Sequence, residues 1–429
     1  MTTKNAFDVL KERGFVKQCT DEDAVRELFD KGPVTAYIGY DPTATSLHIG
    51  NLCVTMALIH LERMGHRPLV VVGGATAMVG DPSGKTEMRQ MMTSETIDGN
   101  VQAIKKQLSR FLNFDEGKSI LVNNADWLMD FKYIDFLRDV GRHFSVNRML
   151  AAESYKQRLE RGLSFIEFNY QILQAYDFME LRRRHGCVLQ MGGDDQWGNI
   201  LAGVDLTRRM DSELVHGLTF PLLLTSAGEK MGKTAKGALW LDPERLSPYE
   251  FYQYWVNIDD ADLEKTLGFL TFLPMDEVHS VQNLEGREMN MAKSILAYEV
   301  TKLVHGKDEA TKAHQAAQSA FGSREIPATL LASSDVVRKV QADIAQIPTT
   351  NLEKSKLAEG ATLVDMMITT GIAQSKSAAR RLIDQGAVKI NDVKITDKGY
   401  ALSDDNFPDG AMTLRSGKKK VHRIVLEGA

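Results

Sequence analysis

The stretch Val34-Thr35-Ala36-Tyr37-Ile38-Gly39-Tyr40-Asp41-Pro42-Thr43-Ala44-Thr45-Ser46-Leu47-His48-Ile49-Gly50-Asn51 passes from an apolar strand, through a turn holding Gly39, Asp41 and Pro42, into a helix. Between Ile49 and Met64, Leu52, Met56 and Ile59 share one helical face, and Gly65 stops the helix. Leu69 to Val72 is a second apolar strand, ending in Gly73-Gly74, and Ile120–Asn123 and Cys187–Met191 read the same way. Uninterrupted apolar strands separated by amphipathic helices are buried on both faces, which predicts a Rossmann-like parallel sheet of the α/β class.

The remainder of the chain is organised differently. At about 150 residues per domain, 429 residues suggest three domains. An apolar content of 43% with charges of both signs excludes a disordered chain. No apolar run approaches the ~20 residues of a membrane span, and the first residues lack the apolar core of a signal peptide. Cys19, Cys53 and Cys187 are far apart, read as reduced thiols in a cytoplasmic protein, and give no Cys-based metal site. A Rossmann-like domain with an inserted helical segment is expected over 1–240 and an all-helical domain over 241–325. The Pro- and Ser/Thr-containing stretch 326–355 reads as a linker, and 356–429 as a small α+β domain. The net charge is −5, yet Thr362 to Ala429 carries eleven Lys/Arg against eight acids, so this end is +3 and the rest −8. A basic end on an acidic chain suits contact with a polyanion.

Five segments could carry chemistry. The turn before Ile49 offers a helix N-terminus to an anion, with His48 able to donate to a phosphoryl oxygen and Gly50 open to a flat ring; the plain alternative is a histidine capping its own helix. Gly80-Asp81-Pro82-Ser83-Gly84-Lys85-Thr86 invites comparison with a phosphate-binding P-loop, but Val79 stands where the first glycine must be. Asp81 remains a candidate for an ammonium group. The helix from Ser164 to Leu181 opens with a capping box, Ser164 to Glu167, and places Tyr170, Gln174 and Asp177 in one row. Such a row is ordinarily a solvated stripe, but here the other faces are apolar too, which suits a cleft wall. Gln190-Met191-Gly192-Gly193-Asp194-Asp195-Gln196-Trp197-Gly198-Asn199 lies at the carboxyl end of a strand, where open parallel sheets bind ligands, and Asp195 could hold a ribose. Lys230-Met231-Gly232-Lys233-Thr234 puts two ammonium groups and a hydroxyl on a loop, as a phosphate chain would require, although an isolated basic turn is common.

Together and in this order, these segments resemble class I aminoacyl-tRNA synthetases, and among them the bacterial tyrosyl-tRNA synthetases. His48 to Asn51 is similar to the HIGH signature and Lys230 to Thr234 to KMSKS, accompanied by Tyr37 to Thr43, Gly73 to Thr76, Asn169 to Gln174 and Gly193 to Asn199. The likeness spans nearly the whole chain, including an S-four-type RNA-binding unit at its end. It implies formation of tyrosyl-adenylate from tyrosine and ATP, with Mg²⁺, and transfer of tyrosine to the 3′ end of tRNA by a cytoplasmic homodimer. It also implies roles. His48, Lys85, Arg89, Lys230, Lys233 and Thr234 would serve the phosphates. Gly39, Asp41, Thr43, Gly50, Asn51, Gly193, Asp195 and Gln196 would line ATP, with Lys233 again at its phosphates. Asp81, Tyr170 and Gln174 would hold the ammonium group, and Tyr37, Asp177 and Gln190 the tyrosine side chain. Asn51 replaces the second histidine of HIGH, and Gly232 and Thr234 replace the serines of KMSKS, from which a more flexible loop is expected.

Lys376, Arg380 and Arg381 on a short helix, with Lys418, Lys419 and Lys420 in a turn, would then meet RNA phosphates. Three rivals are a tryptophan enzyme, an RNA-binding protein on an inactive synthetase scaffold, and a small-molecule nucleotidyltransferase. Asp177 opposite Tyr37 favours a phenol over an indole, the retained His48, Lys230 and Lys233 favour an active enzyme, and the basic tail disfavours the third.

Overall fold

The computed structural model describes residues 4–83, 92–115, 117–151, 155, 159–160, 162–234, 237–321, 325–339, 348–417 and 420–427. The chain divides into two compact units, Met1–Leu246 with Asp259–Gln282, and Ser247–Ile258 with Asn283–Ala429.

The first unit is built on the expected α/β sheet. Its six strands are β1 (Gln18–Cys19), β2 (Thr35–Tyr40), β3 (Arg67–Val72), β4 (Ile120–Asn123), β5 (Leu189–Gly193) and β6 (His216–Phe220), in the order β1-β6-β5-β2-β3-β4. All pairings are parallel except β1 with β6. From β2 the chain winds outward through β3 to β4, then returns through the helix Phe165–His185 to β5 on the opposite flank of β2. The strand order reverses between β2 and β5, and a crevice opens beyond their carboxyl ends.

Local sequence sets the helices that flank this crevice. Ser164 and Glu167 form the expected capping box, and the helix runs past Leu181 to His185, where Gly186 caps it in a left-handed conformation (φ 63°). Arg182, Arg183, Arg184 and His185 occupy the last turn, where positive charge complements the helix dipole. The helix Leu263–Leu270 ends where Thr271 turns extended, and Pro274 caps the next helix. A ribbon of β7 (Lys233–Thr234) and β8 (Gly237–Ala238) completes the unit's strands.

In the second unit, the helices Pro248–Val256, Gly286–His305 and Lys307–Phe321 pack together. Tyr252 donates to His314 Nδ1 at 2.9 Å, and His314 Nε2 donates to the Val337 carbonyl at 3.0 Å. Residues 325–339 are gathered by Arg338, which donates to the carbonyls of Pro327, Leu330, Leu331 and Ser334. The C-terminal sheet has the order β11-β10-β12-β13-β9, from β9 (Thr349–Glu353), β10 (Val388–Ile390), β11 (Val393–Ile395), β12 (Ala411–Ser416) and β13 (Lys420–Glu427). It shares a core with the helices Leu363–Thr369 and Lys376–Asp384 through Leu363, Met367, Ile383 and Leu414.

Candidate active site

The crevice at the β2/β5 reversal is a cavity of about 680 Å³ lined by residues from each of the five segments that could carry chemistry. Tyr37, Gly39, Asp41, His48, Gly50, Asn51, Asp81, Tyr170, Gln174, Asp177, Gln190, Gly193, Asp195, Gln196 and Lys230 all face it. Thr43 does not; it is exposed in the turn beyond Asp41. Lys85 and Arg89 lie outside the described residues, as do Lys418 and Lys419. Lys233 and Thr234 belong to β7, in the loop that contributes Lys230, Met231 and Gly232 to the cavity wall.

The buried end of the cavity is polar. Tyr37 and Gln190 are register partners on β2 and β5, so their side chains stand on the same side of the sheet. Each is 2% exposed, and neither the Tyr37 hydroxyl nor Gln190 Oε1 has a hydrogen-bond partner among the described residues. Orphaned buried polar atoms are costly, and two from register partners that both line the cavity suit a ligand that completes their bonding. Asp177, 4% exposed, accepts hydrogen bonds from Trp127 Nε1 at 2.7 Å and Asn124 Nδ2 at 2.9 Å. Burial pushes its carboxyl up to about 7, opposed by those two donors. Burial likewise keeps the Tyr37 phenol protonated far above neutrality.

Asn124 and Trp127 are not legible in the sequence, and Thr76 stands there only as the end of the Gly73 to Thr76 segment, with no role attached. Asn124 also donates to Thr76 Oγ1 at 2.9 Å and accepts from the Ala75 amide, tying the end of β3 to Asp177. The available signal was Asn123-Asn124 at the carboxyl end of an apolar strand, the same position that singled out Gly193 to Asn199.

The middle of the cavity is a connected amide and carboxylate network. Asp81 accepts from the Ser83 amide and from Gln196 Nε2 at 2.7 Å. Burial, then the nearby Asp41 charge, raises its carboxyl to about 6. Asn199 donates to Gln174 Oε1 at 3.0 Å, and Gln174 donates to Gln196 Oε1 at 3.2 Å. The Tyr170 hydroxyl donates to Asp41 Oδ1 at 3.1 Å. A buried carboxylate raised in this way gains from an incoming cation.

At the mouth, His48 both caps its helix and faces the cavity. Its Nδ1 accepts the Gly50 amide at 3.0 Å, and its own amide donates to Asn51 Oδ1 at 3.0 Å. The neutral ring therefore carries its proton on Nε2. Asn51 completes the capping box with its amide oxygen. Gly232 has φ +84°, and a Cβ there would lie 2.0 Å from Ile49 Cγ2. A serine at this position would collide with the start of the His48 helix, so the glycine answers a steric need rather than a need for looseness.

In the C-terminal sheet domain, Lys376, Arg380 and Arg381 are exposed on the helix Lys376–Asp384, with Lys376 3.1 Å from Asp365. Lys420 begins β13.

Two family models match: tRNA synthetases class I (W and Y) over residues 30–322, and the tyrosine–tRNA ligase SYY-like C-terminal domain over 339–424. The chain is 52% identical to a tyrosine–tRNA ligase of Clostridium tetani, covering 99% of each. It is 54% identical to one of Desulfosudis oleivorans, covering 98% of this chain and 99% of the relative. Among solved structures, a C-terminally truncated mitochondrial tyrosyl-tRNA synthetase of Aspergillus nidulans superposes with a TM-score of 0.65 at 32% identity, over 73% of this chain and 93% of that one. The chain belongs to the class I tRNA synthetases, in the tyrosine–tRNA ligase family.

Proposed function

We propose that the cavity joins tyrosine to ATP, releasing pyrophosphate, and then passes the tyrosyl group to the 3′-terminal ribose of tRNA. The observation that carries the choice of amino acid is the buried end. A phenol can donate to Asp177 or Gln190 Oε1 and accept from Tyr37, whereas an indole N–H only donates. Asp81, Tyr170 and Gln174 would receive the ammonium group. Gly39, Asp41, Gly50, Asn51, Gly193, Asp195 and Gln196 would line the nucleotide. A crystal soaked with tyrosine and a non-hydrolysable ATP analogue should place the phenolic oxygen between Tyr37 and Asp177; a phenol pointing elsewhere refutes the assignment.

The chemistry asks little of the protein beyond positioning and charge. The tyrosine carboxylate forms a bond to the α-phosphorus as the bond to pyrophosphate breaks, so negative charge grows on the leaving phosphates. His48, donating from Nε2, and Lys230, Lys233 and Thr234 would meet that charge, with Lys85 and Arg89 assisting. Mg²⁺ would enter on the ATP phosphates as part of the nucleotide substrate; among the described residues no group of three His, Cys, Asp or Glu side chains is placed to hold a metal. A ribose hydroxyl of tRNA then attacks the tyrosyl carbonyl and AMP leaves.

The raised carboxyl of Asp177 gives a pH dependence. Below about 7 the free site takes up a proton there, which must leave before the carboxylate can accept the phenol. Tyrosine affinity should therefore fall as pH drops from 8 to 6, approaching tenfold per unit below about 7. Calorimetric titration across that range checks it, and an affinity that is flat or rises toward acid contradicts it.

Residues 241–325 and 356–429 would meet tRNA outside the catalytic cavity, with 326–355 between them. Arg380 and Arg381 are exposed cations suited to phosphate. Replacing both with alanine should lower tRNA charging several-fold at 0.15 M salt while leaving tyrosine-dependent pyrophosphate exchange unchanged; equal charging removes them from the interface. A homodimer is supported by Phe165 and Ile134, both 68% exposed, and by exposed Met129, Tyr133 and Ile166. A cytoplasmic location suits three free thiols, and among the described residues no helix is long and apolar enough to cross a membrane.

A further inference from the structure

The two phosphate-facing elements share one backbone mount. The Leu241 amide donates to the Leu47 carbonyl at 2.9 Å, and the Ile49 amide to the Leu239 carbonyl at 3.0 Å. The residues that leave the Lys230–Thr234 loop are thus stitched to both neighbours of His48, and His48 itself bridges to Trp240. Leu239 also donates to the Gly232 carbonyl at 2.8 Å, so the loop is bound into the same ladder.

This mount is held from outside the cavity. The helix Ser94–Leu108 reaches the turn with two side chains. Gln107 Oε1 accepts the Leu47 amide at 2.8 Å, and its Nε2 donates to Ser46 Oγ at 3.2 Å. One amide side chain thereby spans two consecutive residues immediately before His48. Asn100, 4% exposed, donates to the Pro42 carbonyl at 2.9 Å and fixes the start of the same turn. On the exposed flank, Arg245 donates to Thr45 Oγ1 at 2.7 Å, and its guanidinium lies 4.6 Å from the centre of the Trp240 ring. None of Asn100, Gln107 and Arg245 lines the cavity.

We infer that Gln107, supported by Asn100 and Arg245, is a positioning residue for ATP activation, setting the height of the turn that presents His48 and, through the ladder, of the Lys230–Thr234 loop. Tyrosine binding does not depend on this mount, because the Tyr37, Gln190 and Asp177 end is carried by β2, β5 and the helix Phe165–His185. A shift of an ångström in groups that must meet a developing charge costs on the order of tenfold to a hundredfold in rate. The Gln107 bonds bear on one step of the reaction and leave the amino-acid pocket untouched.

The test compares Gln107→Leu and Gln107→Glu in the full-length protein. Gln107→Leu removes both bonds, and should lower tyrosyl-adenylate formation at saturating ATP and tyrosine about tenfold with the tyrosine Kd within twofold of the parent. Gln107→Glu keeps an acceptor for the Leu47 amide, and the Ser46 hydroxyl, which donates to the Leu47 carbonyl at 2.8 Å, can exchange that bond for one to the second carboxylate oxygen, so its rate should return to within threefold. A Gln107→Leu rate within twofold of the parent, equal losses in both variants, or tyrosine binding weakened in proportion would each overturn the inference. If Gln107→Leu does not fold, Arg245→Ala on the exposed flank decides, with a loss of about fivefold expected in the same step and a loss below twofold refuting it. The inference rests on the ligase reading: a parent lacking tyrosine-dependent pyrophosphate exchange defeats that reading, whereas a normal parent with an unimpaired variant defeats the inference alone.

Discussion

Replacing Asp177 with alanine is expected to remove the preference for tyrosine over phenylalanine. In the parent, phenylalanine bound as proposed would leave Tyr37 and Gln190 Oε1, which have no partners among the described residues, unmet at the buried end, and would bring an apolar ring edge against the Asp177 carboxylate. Each buried polar group left unmet costs about 1–3 kcal/mol, and more when charged. Tyrosine, by contrast, would gain a hydrogen bond to an ionised acceptor, roughly twice as strong as a neutral one. Asp177→Ala removes the charged acceptor, which takes the Trp127 Nε1 acceptor away and leaves Asn124 Nδ2 with Thr76 Oγ1 alone. The kcat/KM for tyrosine activation should fall at least a hundredfold, while that for phenylalanine changes by less than tenfold. Steady-state pyrophosphate exchange with each amino acid measures the ratio. A preserved ratio would remove Asp177 from the recognition of the phenol.

Lys233→Ala should have the second large effect, confined to the chemical step. An ammonium group that meets charge appearing only as pyrophosphate departs contributes little to the ground state and much to the transition state. Loss of one such donor costs on the order of 10²–10³ in rate. The expected result is a loss of that size in adenylate formation, with tyrosine affinity within twofold of the parent. Equal losses in rate and in tyrosine binding would place Lys233 in the ground-state complex instead.

The sequence carries the parts of this site that follow a period or sit at a strand end. Tyr170, Gln174 and Asp177 are legible because a 3.6-residue repeat puts them in one row, and the capping box at Ser164 fixes where that row begins. Gly193 to Asn199 is legible because polar residues follow an apolar strand. Asn124 follows its strand too, but Asn123-Asn124 is short, and nothing in the spacing says that its amide reaches Asp177, 53 positions later. The pairing of Tyr37 with Gln190 depends on which strands become neighbours, a property of the whole sheet.

Gln107 escapes for another reason. It lies among Gln102, Lys105 and Lys106 on a helix whose polar face looks solvated until the turn at Ser46 and Leu47 is laid against it. The two-residue strand β1 is too short for any periodicity, and only its antiparallel pairing with β6 reveals it. Gly232 reads as a missing serine in the sequence and as a required left-handed turn against Ile49 in three dimensions.

The most direct test of the central claim is amino-acid-dependent exchange of labelled pyrophosphate into ATP, with each of the twenty amino acids offered separately to the full-length protein. Tyrosine alone should drive the exchange at a substantial rate, with phenylalanine and tryptophan near background. Exchange driven by tryptophan, or by no amino acid at all, would contradict it.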